Sequence, residues 1–138
     1  MTALVYLSHA PEDSAHRDLL EKHLAPLVRA GTLSLWHEEK SLPGEDRDKA
    51  AAAQLEAAAL VLLLISADYL ASDRCHSEMT RALRLAQAGG GRVVPILLRP
   101  CLAHREALLG LAALPTGGKP ITTWISADDA WANVAAHV

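Results

Sequence analysis

Short runs of uninterrupted apolar residues alternate along the chain with longer segments in which apolar positions recur at helical spacing. Residues 3–7 (Ala-Leu-Val-Tyr-Leu) read as a first strand, and the turn at Ser8 to Asp13 carries Pro11 at a position that suits the start of a helix. From there to Arg29, Leu19, Leu20, Leu24, Leu27 and Val28 form one apolar stripe; Pro26 is expected to distort this helix or end its regular part, and Gly31 to break it. Residues 33–36 predict a second strand, and residues 37–46 a polar loop with Pro43-Gly44 at its tip. An Ala-rich helix over 48–59 follows, then a third strand over 60–65 that is apolar throughout and so buried on both faces. Residues 66–73 read as a loop. A helix over 74–88 turns Met79, Ala82, Leu83 and Ala86 inward and ends at Gly89, Gly90 and Gly91. Residues 93–98 predict a fourth strand, 99–119 an irregular stretch with a short helix near Leu108, 121–124 a weaker fifth strand, and the segment from about Asp128 a last helix.

Five strands alternating with helices predict an α/β fold: a flavodoxin-like, doubly wound parallel sheet of order 2-1-3-4-5 with helices on both faces. The length of 138 residues fits a single domain over 1–138. The last helix reaches Val138 without a cap, so the expectation is the N-terminal part of a longer multidomain protein. With 13 Lys and Arg against 16 Asp and Glu, the net charge of −3 argues against a nucleic-acid groove or an anionic-membrane surface. The apolar run over 57–65 is too short to span a bilayer, and Cys75 and Cys101 without a CxxC pair fit a reduced cytoplasmic protein.

In an open parallel sheet, ligands bind beyond the carboxyl ends of the strands where the strand order reverses. The loops at 8–13, 37–46, 66–75 and 99–104 form that edge, and the crevice between strands one and three is flanked by Ser8, His9 and the start of the 74–88 helix. Glu78 lies in the early turns of that helix and can point at the crevice. Its plain alternative is a solvated acid near a helix N-terminus; Cys75 excludes a capping box. His9, His16 and His23 recur every seven residues, where metal pairs on a helix need three or four, so they read as a polar face. The two cysteines read as buried thiols, and Leu42-Pro43-Gly44 taken alone as an ordinary turn. GxSxG and P-loop motifs are absent. A phosphoacceptor receiver would need acids where Ser8, His9 and Ser66 stand.

Taken in order, the motifs resemble a Toll/interleukin-1 receptor (TIR) domain of the bacterial type. Val5-Tyr6-Leu7-Ser8-His9 looks like the family's first box. Trp36-His37-Glu38 leading to Leu42-Pro43-Gly44 is similar to its second box and BB loop, and the stretch from Leu64 through Cys75-His76-Ser77-Glu78 to the segment carrying the catalytic glutamate. Val94-Pro95-Ile96 onward and Lys119-Pro120-Ile121 through Trp124 resemble the closing strands. Three positions depart from the pattern: Arg74 stands where many members have Trp, Arg47 where an aromatic often follows the loop glycine, and Glu38 where Asp is frequent.

The resemblance implies an NAD⁺ glycohydrolase that self-assembly activates, with Glu78 catalytic and Ser8, His9, Trp36, His37, Leu42, Pro43, Gly44 and Arg74 around the substrate. Arg74 is expected to extend toward solvent or a substrate phosphate. NAD⁺ enters as substrate, giving nicotinamide and ADP-ribose or a cyclic product, with no cofactor or metal called for. The resemblance further implies association with other TIR domains through the BB loop, a sensor domain in the full-length protein, and a role in bacterial antiphage defence. The alternative is a non-enzymatic adaptor that only recruits other TIR domains; a pure adaptor has no chemical need for Glu78.

Overall fold

The computed structural model describes residues 2–101 and 111–138. Four strands, β1 (Ala3–Ser8), β2 (Leu33–Trp36), β3 (Leu60–Ile65) and β4 (Arg92–Leu97), form a parallel sheet of order β2-β1-β3-β4. The helices are α1 (Ser14–Arg29), α2 (Arg47–Ala57), α3 (Ala67–Ala71), α4 (Asp73–Gln87) and α5 (Ala127–His137). Because side chains alternate along a strand, each strand feeds two cores. Val5 and Leu7, Leu33, Leu60, Leu62, Leu64 and Ile96 pack toward Leu20 and Leu24 of α1 and Trp131 and Val134 of α5. Tyr6, Val61, Leu63, Ile65 and Val93 pack toward Leu55 of α2, Tyr69 of α3 and Met79 and Ala82 of α4. Every residue of β3 is buried, as a central strand covered on both faces requires.

The predicted α/β fold and the order of the first four strands are observed. The fifth strand is not: among the described residues, Ile121–Thr123 is a single 3₁₀ turn. The outer edge of β4 is met instead by Leu114, whose N–H donates to the Pro95 carbonyl at 2.9 Å and whose carbonyl accepts from Leu97 at 2.8 Å. The next N–H that would face β4, that of Thr116, donates instead to Asn133 Oδ1 at 2.9 Å, so this pairing stops after one residue. Ile121 is apolar because it plugs the α1/α5 core, not because it extends the sheet. The short helix expected near Leu108 lies outside the described residues.

Three local expectations also change. The α1 helix runs through Pro26 to Arg29; Pro26 and Lys22, whose carbonyl Pro26 cannot reach, are both exposed, so the lost bond falls on the wet side. The apolar stripe is narrower than predicted: Leu19 and Val28 are exposed, while Arg17 is buried. The segment expected as a loop over 66–73 contains α3, started by Ser66, whose Oγ accepts from the Tyr69 N–H at 3.1 Å. Close to it, Ser72 caps α4 by accepting from the Cys75 N–H at 3.2 Å. At the other end of α4, a Cβ on Gly91 would sit 2.3 Å from the Ala58 carbonyl oxygen, so the entry to β4 admits only glycine.

Candidate functional site

Strand alternation places Tyr6 and Ser8 on the same face of β1, toward α4. Ser72 starts α4 one residue earlier than the sequence predicts and sets Glu78 in its second turn, facing them. The Tyr6 hydroxyl donates to Glu78 Oε2 at 3.1 Å, and Ser8 Oγ donates to Glu78 Oε1 at 2.8 Å. Ser8 has one proton, so the 2.8 Å contact between Ser8 Oγ and the Tyr69 hydroxyl is a donation by Tyr69. Burial raises the Tyr6 phenol above its ordinary range, with the Glu78 charge adding to it, and burial does the same to Tyr69. Both therefore keep their protons, Tyr6 donating to Glu78 and Tyr69 to Ser8. The indole of Trp36, paired with Tyr6 across the β1–β2 register, lies against the Tyr6 ring with centroids 5.3 Å apart.

A cleft of about 150 Å³ opens beside this carboxylate, between α2 and α4. Tyr6, Ala51, Ala52 and Leu55 give it an apolar wall, and Glu38, Asp48, Arg74, Glu78 and Arg81 give it charge. Both of its arginines are paired. Arg74 Nη1 meets Glu38 Oε2, and Arg81 Nη2 meets Glu56 Oε1 at 2.6 Å. Arg74 Nη2 also donates to the His9 carbonyl at 3.4 Å. The expectation that Arg74 extends toward solvent is corrected by this pairing: the guanidinium folds back across the sheet edge because Glu38 offers it an opposite charge.

The same alternation sends His9 and His37 to the opposite face, with Leu7 and Leu35. There they meet Arg17. Arginine only donates, so His9 Nε2 accepts from Arg17 Nη1 at 3.1 Å and His37 Nδ1 from the same nitrogen at 3.5 Å, while His37 Nε2 lies 3.0 Å from Glu21 Oε1. Arg17 also pairs with Glu39 at 2.7 Å and Asp18 at 2.8 Å, and its hydrogen bonds hold both carboxyls below their usual range. His9 is thus buried, contrary to the polar face expected for His9, His16 and His23, because it ends a strand and does not lie on a helix. Burial first, then the Arg17 charge, pushes His37 down to about 4, and the same two causes lower His9. An unfolded His37 titrates near ~6.5. Between these values the unfolded chain binds a proton that the folded chain refuses, so stability falls as pH drops from about 6.5 toward about 4. Melting temperatures at pH 7 and pH 4.5 should show this loss, and His37→Gln should lessen it; an unchanged pH slope in the variant would reject the assignment.

Leu42, Pro43 and Gly44 stand away from Glu78 at the tip of the loop. Gly44 has φ +84°, and the Glu45 N–H donates to the Leu42 carbonyl at 3.0 Å, a type II turn in which Pro and Gly hold their favoured places. Leu42 is 69% exposed. Of the residues singled out in sequence, then, Ser8 and Arg74 gather at Glu78, Trp36 reaches it through Tyr6, His9 and His37 join the Arg17 network, and the turn projects outward. Cys75 is a buried thiol as expected, whereas Cys101 is half-buried.

Tyr6, Tyr69, Arg81 and Asp48 had no assigned role in sequence. Tyr6 was available from the two-residue alternation that pairs it with Ser8, and Arg81 from its helical spacing after Glu78. No local pattern marks Tyr69 or Asp48.

Comparison with known proteins gives one consistent picture. The TIR_2 family model, described as a TIR domain, matches residues 5–134. The uncharacterized protein y4lF of Sinorhizobium fredii (strain NBRC 101917 / NGR234) is 40% identical over 135 residues, which are 97% of this chain and 42% of that protein. The chain thus spans about two-fifths of that curated relative. The TIR domain of the Toll-related receptor TRR-2 from Hydra magnipapillata superposes with a TM-score of 0.63 at 22% identity, over 80% of this chain and 81% of that one. A 2-deoxyribosyltransferase from Bacillus psychrosaccharolyticus gives 0.52 at 15% identity, over 68% and 72%. At these identities the two structures show the fold alone. With a family match that takes in nearly the whole chain, and the strand order and boxes in place, the protein belongs to the TIR domain family, as a member of its TIR_2 branch.

Proposed function

We propose that the domain cleaves NAD⁺ at the bond between nicotinamide and ribose, with Glu78 as the catalytic carboxylate. The observation that carries this reading is the fixed orientation of Glu78: both oxygens are held from behind by Tyr6 and Ser8 while the carboxylate lines an open cleft. A carboxylate oriented in advance is suited to a cationic transition state. When the C1′–N bond breaks, its electron pair stays on the nicotinamide nitrogen, which leaves neutral, and the ribosyl carbon becomes oxocarbenium-like. Glu78 stabilises that charge and accepts a ribose hydroxyl proton as a hydrogen bond. Water attack then releases one proton and gives ADP-ribose; attack by the adenine of the same molecule gives a cyclic product.

TIR domains characteristically self-associate, and the exposed Leu42 beside the Pro-Gly turn supports a contact between copies through this loop. Such a head-to-tail contact does not close on itself and extends into a filament. A cytoplasmic effector in bacterial antiphage defence is the setting this reading suits; among the described residues no helix is long and apolar enough to cross a membrane. The exposed Leu42 also favours the second reading, a non-enzymatic scaffold.

Nicotinamide release from NAD⁺, measured at rising protein concentration, separates the two. The enzyme reading expects release that climbs with assembly; assembly without release leaves the scaffold. Leu42→Asp should weaken assembly and cleavage together while the melting temperature holds, since a side chain this exposed carries within about 0.5 kcal/mol of stability. Unchanged light scattering with reduced cleavage would reject the interface role.

A further inference from the structure

We infer that the Glu38–Arg74 ion pair is a gate over the Glu78 cleft, and that its opening passes the Arg74 guanidinium from Glu38 to a phosphate of the incoming dinucleotide. The inference rests on the NAD⁺ reading above and adds the residue that selects a phosphate-bearing substrate.

Size is the first argument. The cleft of about 150 Å³ is well below the roughly 300–1,000 Å³ of sites that enclose small molecules. A cleft this small encloses only part of a dinucleotide, and Arg74 and Glu38, which both line it, are left to meet the rest. Charge is the second. Glu38, Asp48 and Glu78 all line the cleft, and Arg74 is already neutralised by Glu38. The cationic nicotinamide end of NAD⁺ is drawn to Glu78, but its phosphates meet a mouth in which no guanidinium is free until Glu38 leaves.

Position is the third. Arg74 lies one helical turn before Glu78, about 6 Å along the α4 axis, at the carboxyl edge of the sheet where ligands of such folds arrive. Arg81 lies one turn deeper, away from that edge, and its pair with Glu56 is half-exposed and screened by water. Glu38 begins the three-residue turn between β2 and the Pro-Gly loop, outside any strand or long helix, so a small backbone shift there carries its carboxylate off Arg74. Exchange of carboxylate for phosphate keeps Arg74 in a charge-assisted contact throughout.

The test measures binding without cleavage, in Glu78→Gln protein. Two ligands are titrated, NAD⁺ and nicotinamide riboside, which carries the same cationic base and ribose without phosphates. Glu38→Gln frees Arg74 and should tighten NAD⁺ several-fold while leaving the riboside unchanged. Arg74→Gln should weaken NAD⁺ about 10-fold, again with the riboside unchanged. Glu56→Gln, which removes the same charge from the neighbouring pair, should alter neither. Circular dichroism checks that each variant is folded, and the swapped pair Glu38→Arg with Arg74→Glu retains the link while removing the guanidinium from position 74. Equal changes for both ligands, no response of NAD⁺ to Arg74→Gln, or no NAD⁺ binding in Glu38→Gln would each overturn the gate. Binding that follows the expected pattern, with no nicotinamide released by protein that keeps Glu78, would overturn the proposed reaction and leave the gate standing.

Discussion

Glu78→Gln is expected to lower nicotinamide release from NAD⁺ by at least ~10²-fold while the domain stays folded. Gln keeps the size of the side chain and one acceptor oxygen, but it loses the negative charge that the transition state needs. The fold should tolerate the change because the carboxylate is only part-buried and its partners, Tyr6 and Ser8, are hydroxyls that can also accept. Equal rates in both proteins would reject Glu78 as the catalytic group. Tyr6→Phe gives a graded companion result. It removes one donor from behind the carboxylate and leaves the ring against Trp36, so kcat should fall about 10-fold with KM little changed. A change in KM alone would place Tyr6 in substrate binding instead.

Asp13→Ala is expected to cost about 2–3 kcal/mol of stability, a drop in melting temperature of about 5–10 °C. Asp13 is buried in the 3₁₀ turn between β1 and α1, where it accepts hydrogen bonds from Ser66 Oγ just past β3 and from Arg99 at 3.1 Å, just past β4. Arg99 is held on its other side by Asp68 at 2.6 Å. Removing Asp13 leaves a fully buried hydroxyl without its acceptor and a guanidinium with half its partners. The cost stays below that of a dry ion pair because Arg99 is one-third exposed. The double variant with Ser66→Ala should lose less than the two single losses added together, since the unpaired hydroxyl is then gone. A loss under about 0.5 kcal/mol for Asp13→Ala would show that water replaces the carboxylate and that the cluster does not tie the three strand ends together.

How far the site was legible depended on how far apart its members lie. Glu78 was found because the carboxyl edge of a parallel sheet and the early turns of the following helix are both readable locally. Ser8 and Tyr6 differ in this respect: both stand in the first box, but the motif singles out only Ser8, although the strand period places the two on one face. The same motifs place His9 and His37 in the site, and the period sends them to the opposite face. Leu7 and Leu35 lead them to the α1 side, where Arg17 occupies a position that a helical apolar stripe would assign to a hydrophobic residue.

By itself the sequence determined the first four strands and their parallel sheet, a turn at Pro43-Gly44, and the helix that carries Glu78. These follow from hydrophobic period and backbone preference, which act over a few residues and are written in the chain. Tertiary structure alone decided which distant groups meet: Tyr69 with Ser8, Ser8 with Glu78, Arg74 with Glu38, and Leu114 instead of Ile121 beside β4. In each case several polar or apolar candidates had equal local claims. The choice fell to strand register and helix packing, which set the separations over which a hydrogen bond or an ion pair is either made or lost.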